Sequence, residues 1–156
     1  MNMEQLITTD LIGLKIDAKD AKAAIEKTGE FLLEKGYIKQ AYIDSALKRE
    51  EQFPTGIALV KKGIAIPHAS PVGNVLKNGI AVVQLANPIV FHSMENCDET
   101  VEVNLVFMLA LKDSNQHLDM LQKLFAMFQE ASCIELLLNS SDEEEVRNML
   151  VSKLKN

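Results

Sequence analysis

Apolar positions along the chain switch between a repeat of about two and a repeat of about 3.6, so the pattern alternates short strands with amphipathic helices. Leu11 to Ile16 alternates as a strand does, after a turn at Thr8, Thr9 and Asp10. Ala21, Ala24, Ile25, Thr28, Phe31 and Leu32 then fall on one helical stripe, with Lys22, Glu26, Lys27 and Glu30 off it. Asp17 or Asp20 can cap that helix, and Gly36 stops it after about Lys35. A second helix over Lys39 to about Gln52 turns Ile43, Ala46 and Leu47 inward. Ile57 to Val60 and Ile64 to Ile66 are short apolar runs separated by Lys61, Lys62 and Gly63, the pattern of a hairpin with Arg49 near its base.

Further on, Ser70 to Lys77 carries Pro71, Gly73 and Asn74 and reads as a loop. Gly79 to Ala86 and Ile89 to Phe91, split by Asn87-Pro88, predict two strands joined by a turn, and the polar stretch His92 to Thr100 predicts a solvated loop with His92 at the surface. Val101 to Leu111 begins at period two and becomes wholly apolar, as a strand does on entering the middle of a sheet. A third long helix starts at a Ser114 or Asn115 cap and runs to about Glu130, with Leu118, Leu121, Leu124, Phe125 and Phe128 as its core stripe and Met120 and Met127 as packing residues. Cys133 to Leu138 forms a short helix or turn, and Ser141-Asp142-Glu143-Glu144 is a capping box that opens a last helix carrying Leu150, Val151 and Leu154. Strands interleaved with helices in this way indicate an α/β domain. No repeat, linker or low-complexity segment divides residues 1–156, so one domain is expected.

Composition narrows the function. With 156 residues and 47% hydrophobic content the chain can bury a sizeable core. No run reaches the roughly 18 to 20 apolar residues of a membrane span, and Met1 to Asp10 lacks the basic and apolar regions of a signal peptide, so a soluble cytoplasmic protein is expected. Cys97 and Cys133 are far apart and lack metal or redox spacing, which leaves them as reduced thiols. A net charge of -6 disfavours nucleic-acid binding and favours docking to a basic protein surface.

The densest chemistry lies in Phe53 to Ala69, FPTGIALVKKGIAIPHA. The run Ile64-Ala65-Ile66 must leave the sheet at Pro67, which has no N–H for a ladder, and so delivers His68 to the carboxyl-terminal edge of a strand. In open α/β sheets that edge is where ligands bind. Arg49 stands near the end of the second helix, and His117 stands in the first turn of the third, where unpaired N–H groups favour an anion.

Pro54-Thr55-Gly56-Ile57, then Gly63-Ile64-Ala65-Ile66-Pro67-His68-Ala69, with Arg49-Glu50 before them and His117-Leu118 after, closely resembles the phosphorylation-site segment of enzyme IIA domains of the sugar phosphotransferase system, in the fructose/mannitol class. Phe53-Pro54-Thr55-Gly56-Ile57 is most similar to the galactitol-type branch. The resemblance implies a mixed sheet of about five strands with helices on both faces, a three-layer sandwich. It implies that His68, by Nε2, accepts a phosphoryl group from the histidine phosphocarrier protein HPr. The group then passes to a cysteine of a IIB component, which phosphorylates a galactitol-like sugar during uptake through a membrane IIC component.

A neutral imidazole is a competent nucleophile for phosphorus, so neither a metal nor a cofactor is required. The transferred group brings close to two negative charges, and one cation at 4 Å is worth at most about 4 kcal/mol at an effective dielectric near 20. A second donor is therefore wanted. Arg49 and His117 are the expected pair, supported by backbone N–H groups of the Thr55-Gly56 turn acting as an anion nest. Two other classes remain at this stage: a phosphorylation-dependent regulator of the same family that binds other proteins, and a hydrolase that sets His68 and His117 around a metal. The absence of an HxxxH motif or clustered carboxylates counts against the hydrolase.

Overall fold

The computed structural model describes residues 2–60 and 62–155. Lys61, one of the three residues assigned to the hairpin turn, lies outside them. Five strands, β1 (Ile12–Ile16), β2 (Gly56–Ala58), β3 (Gly63–Ala65), β4 (Gly79–His92) and β5 (Thr100–Ala110), form one sheet in the order β1-β4-β5-β3-β2. β1 runs parallel to β4 and β3 parallel to β5, while β4 with β5 and β2 with β3 are antiparallel. The sheet is therefore mixed, and the expected hairpin of β2 and β3 is formed.

The wholly apolar character of β5 follows from its position. Successive side chains of a strand point to opposite faces, and here both faces are covered. Leu105, Phe107 and Leu109 join one core, together with Ile80 and Val82 of β4, under the helices α1 (Met3–Leu6), α4 (Ser114–Phe128), α5 (Ala131–Asn139) and α6 (Glu143–Leu154). Val106, Met108 and Ala110 join the other, with Ala81 and Val83, under α2 (Ala21–Glu34) and α3 (Gln40–Gln52). The result is a three-layer α/β sandwich. Asp20 caps α2 by accepting from the Ala23 N–H, and Gly36 beyond its end has a φ of 79°, a left-handed conformation natural to glycine. Among the described residues no helix is long and apolar enough to cross a membrane.

Five expectations change. The two strands predicted on either side of Asn87-Pro88 are one strand, β4, whose register shifts between Gln84 and Ile89. Ala86, Asn87 and Pro88 are exposed there, and a bulge accepts a proline because it asks for no ladder N–H at that point. The cap of α4 is Asp113, not Ser114 or Asn115. The buried row of α4 is Met120, Leu124, Met127 and Phe128, while Leu118 is 57% and Phe125 36% exposed. Apolar residues on two adjoining faces left the phase of this helix open to sequence reading, and the correct phase puts His117 in line with Met120, Leu124 and Phe128. Finally, Asn2 caps an unforeseen short helix, α1, which buries Met3 and Leu6. At the far end the acidic opening of α6 is capped by Asp142, one residue beyond Ser141, through the Glu144 N–H.

Candidate active site

Because β3 and β5 are parallel, their carboxyl ends reach the same edge of the sheet. β3 ends at Ala65, Ile66 and Pro67 stay buried, and His68 emerges half-buried at that edge. Its Nδ1 lies 2.8 Å from the Ile66 carbonyl oxygen. A carbonyl only accepts, so Nδ1 carries the hydrogen and Nε2 of the neutral ring keeps its lone pair. Burial, and secondarily the Arg49 charge, hold the His68 pKa below the ordinary histidine value, against the opposing bond to Ile66.

The backbone after His68 is braced from beneath. Tyr42 of α3 is fully buried, donates its hydroxyl hydrogen to the Leu109 carbonyl, and accepts from the Ala69 N–H at 3.4 Å. Desolvation pushes its pKa up to about 12, so it remains a donor. Sequence reading placed Ile43, Ala46 and Leu47 inward and missed Tyr42, whose signal was its place four residues before Ala46 on the buried helical face.

β5 ends at Ala110 and α4 opens at Ser114, so His117 arrives at the same edge as His68. The two ring centroids are 4.9 Å apart at an interplanar angle of 51°. The Nε2 atom of His117 is buried without a hydrogen-bond partner. Its pKa is lowered to about 4, first by burial and then by His68 and Arg49, so the ring is neutral at pH 7. At the amino end of α4 three of the N–H groups that sequence reading anticipated as free are taken, His117 N–H by the Asp113 carbonyl at 3.0 Å and two others by its side chain. The Asp113 carboxylate takes Asn115 N–H at 2.7 Å and Gln116 N–H at 3.4 Å, while the His117 imidazole keeps an unpartnered nitrogen on this side.

Arg49 approaches from the opposite side. It sits in the last turn of α3, exposed, with its guanidinium carbon 5.1 Å from the centre of the Phe53 ring. It forms no ion pair within the described residues. Arg49, Phe53, Thr55 and His68 line one open depression that also reaches Met94 and Cys97. Thr55 is buried, and both its donors are committed: its N–H and its hydroxyl each bond to Glu50 at 2.8 Å. The expected nest at Thr55-Gly56 thus has its first N–H turned away from the depression, to a carboxylate that sequence reading quoted beside Arg49 without giving it a role. Burial raises the Glu50 pKa, and the two Thr55 bonds oppose that shift.

Gly56 serves the backbone. A Cβ there would come 2.6 Å from the His92 carbonyl oxygen, and the Gly56 carbonyl accepts from the Met94 N–H at 2.8 Å. His92 is the last residue of β4, exposed, with Nδ1 2.9 Å from the Cys97 carbonyl. Cys97 is exposed and Cys133 buried, both as free thiols. Among the described residues no three His, Cys, Asp or Glu side chains converge in a way that would hold a metal ion. What converges is a half-buried nucleophilic nitrogen, a desolvated neutral imidazole and an unpaired guanidinium, a set suited to holding a small dianion against His68.

The family model for "Phosphoenolpyruvate-dependent sugar phosphotransferase system, EIIA 2" matches residues 5–153. A mannitol-specific phosphotransferase enzyme IIA component of Staphylococcus aureus is 29% identical over 149 residues, covering 94% of this chain and 96% of that protein. A galactitol-specific EIIA component of Escherichia coli is also 29% identical, over 119 residues, covering 76% and 78%. Among solved structures, the complex of enzyme IIA for mannitol with phosphorylated enzyme IIB from Escherichia coli superposes with a TM-score of 0.78 at 26% identity, covering 94% of this chain and 97% of that one. Equal identity to the mannitol and galactitol proteins leaves the galactitol-type branch unseparated from the mannitol type.

Proposed function

The chain belongs to the EIIA 2 family of the phosphoenolpyruvate-dependent sugar phosphotransferase system, phosphotransferase proteins that carry a phosphoryl group in sugar transport, and on that premise we propose that His68 is its carrier residue. The observation that supports this best is the tautomer: the Ile66 carbonyl holds the proton on Nδ1, so Nε2 is free to attack. In the step we propose, the His68 Nε2 lone pair forms a bond to phosphorus while the bond to the nitrogen of phospho-HPr breaks, and the electron pair of that bond stays on HPr. The reverse geometry delivers the group to a cysteine thiolate of a IIB component. Arg49 supplies permanent charge to the phosphoryl oxygens, and His117 supplies the donor whose Nε2 otherwise has no partner. No cofactor or metal enters either step.

In this reading residues 1–156 act as one cytoplasmic unit that serves a membrane IIC component through IIB, and the sugar is a hexitol of the galactitol or mannitol kind. The test is incubation with phosphoenolpyruvate, enzyme I and HPr, followed by phosphorus NMR and peptide mapping. The expected result is a single phosphohistidine at His68 that discharges onto a hexitol IIB. Label retained in His68→Ala overturns the assignment, and a labelled protein that discharges to no IIB favours the regulatory member of the family over the transport carrier.

A further inference from the structure

Between Arg49 and Gly56 the chain leaves a helix and enters a strand, and it is tied down at every stage. Phe53 N–H bonds to the Arg49 carbonyl at 2.7 Å, Glu50 takes both Thr55 donors at 2.8 Å, and Met94 N–H bonds to the Gly56 carbonyl at 2.8 Å. Of these ties the carboxylate pair belongs to side chains and is the one a substitution can remove. Adjacent residues of a helix diverge by about 100°, so Glu50 turns into the connection while Arg49 turns into the depression with His68. The nearest carboxylate in sequence to Arg49 is thereby occupied elsewhere, and the guanidinium keeps its full charge.

We propose that Glu50 is a positioning residue for phosphoryl transfer: by holding both donors of Thr55 it fixes the α3–β2 connection, sets Arg49 beside His68, and withholds its own charge from the guanidinium. This rests on His68 being the phosphoryl acceptor. The expected sign sets it apart from a plain charge effect. A carboxylate that acted only by its negative field would oppose the incoming phosphoryl group, so removing it would speed transfer. A positioning carboxylate, when removed, slows it.

The test measures, for each variant, the rate of phosphorylation by phospho-HPr per folded molecule together with the thermal midpoint. Glu50→Ala lowers the rate by at least about tenfold, since small misplacements of a clamping group cost up to about a hundredfold. Glu50→Gln stays within about threefold of wild type, because its amide oxygen accepts from Thr55 N–H and its NH2 donates to a rotated Thr55 hydroxyl. Thr55→Ser matches wild type, and Thr55→Val, which keeps one bond of two, falls between. Glu50→Ala or Thr55→Val transferring at the wild-type rate or faster, with only the midpoint lowered, overturns the proposal, as does Glu50→Gln as slow as Glu50→Ala. If Glu50→Ala does not fold, Thr55→Val decides by the same criterion. A wild-type protein that takes no label at His68 is a different failure, which removes the carrier reading and this proposal with it.

Discussion

In the proposed reading, the two walls beside His68 prepare for the same dianion by opposite physics. On the α4 side, His117 is desolvated, neutral and unpartnered at Nε2, so its value is withheld until an acceptor arrives. On the α3 side, Arg49 is solvated and permanently charged, and its neighbours rather than itself are hydrogen-bonded into place. A buried donor gains strength from low dielectric and costs stability while idle, whereas an exposed charge costs little and is screened by salt. A site that uses both walls combines short-range grip with long-range attraction.

The largest effect breaks the comparison at its centre: His68→Ala abolishes phosphorylation by HPr, read as loss of the phosphohistidine signal. Next comes the charged wall. Arg49→Ala slows transfer by about a hundredfold, in the range of losing one preorganised donor, and Arg49→Lys by about tenfold, because a point charge replaces a planar fork. Raising the salt from low to high narrows the gap between wild type and Arg49→Ala in stopped-flow transfer, since an exposed charge is screened.

On the buried wall, His117→Phe slows transfer by about tenfold and raises the unfolding free energy by about 1 kcal/mol, because the idle, unsatisfied nitrogen is gone. The same wall has a pH signature. The folded His117 pKa of about 4 lies below the ordinary histidine value of 6.5, so the unfolded chain binds the proton first and stability falls as pH drops from about 6.5 to about 4. Denaturant titrations across that window show a smaller slope in His117→Phe than in wild type. The smallest effect is structural: Tyr42→Phe costs about 1 to 2 kcal/mol by leaving the Leu109 carbonyl unpaired, with transfer slowed only as far as Ala69 shifts.

Much of the scaffold was legible because burial on both sides of a sheet imprints a continuous apolar run, as in Val103 to Leu111, and because caps and breakers such as Asp20 and Gly36 act locally. His68 was legible for the same reason, since a proline after an apolar run dictates where a strand lets go. What stayed hidden depends on partners distant in sequence or on near-equal choices. Asn87-Pro88 marks a turn or a bulge with equal force until β5 lies alongside it. The phase of α4 turned on which of its two adjoining apolar faces meets the sheet: Met120, Leu124, Met127 and Phe128 do, with Phe128 against Phe107, while Leu118 and Phe125 stay exposed. Tyr42 and Glu50 show their use only once Leu109, Ala69 and Thr55 are brought to them.

The tether between His68 Nδ1 and Ile66 leaves a single ring nitrogen open, on a residue that lines the depression just past the end of β3. If His68 is the carrier residue, as proposed, whatever delivers cargo there and whatever collects it need the same square of surface, so the two visitors must alternate. Turnover then follows a ping-pong pattern, in which discharged donor accumulating around the carrier blocks the berth and slows unloading.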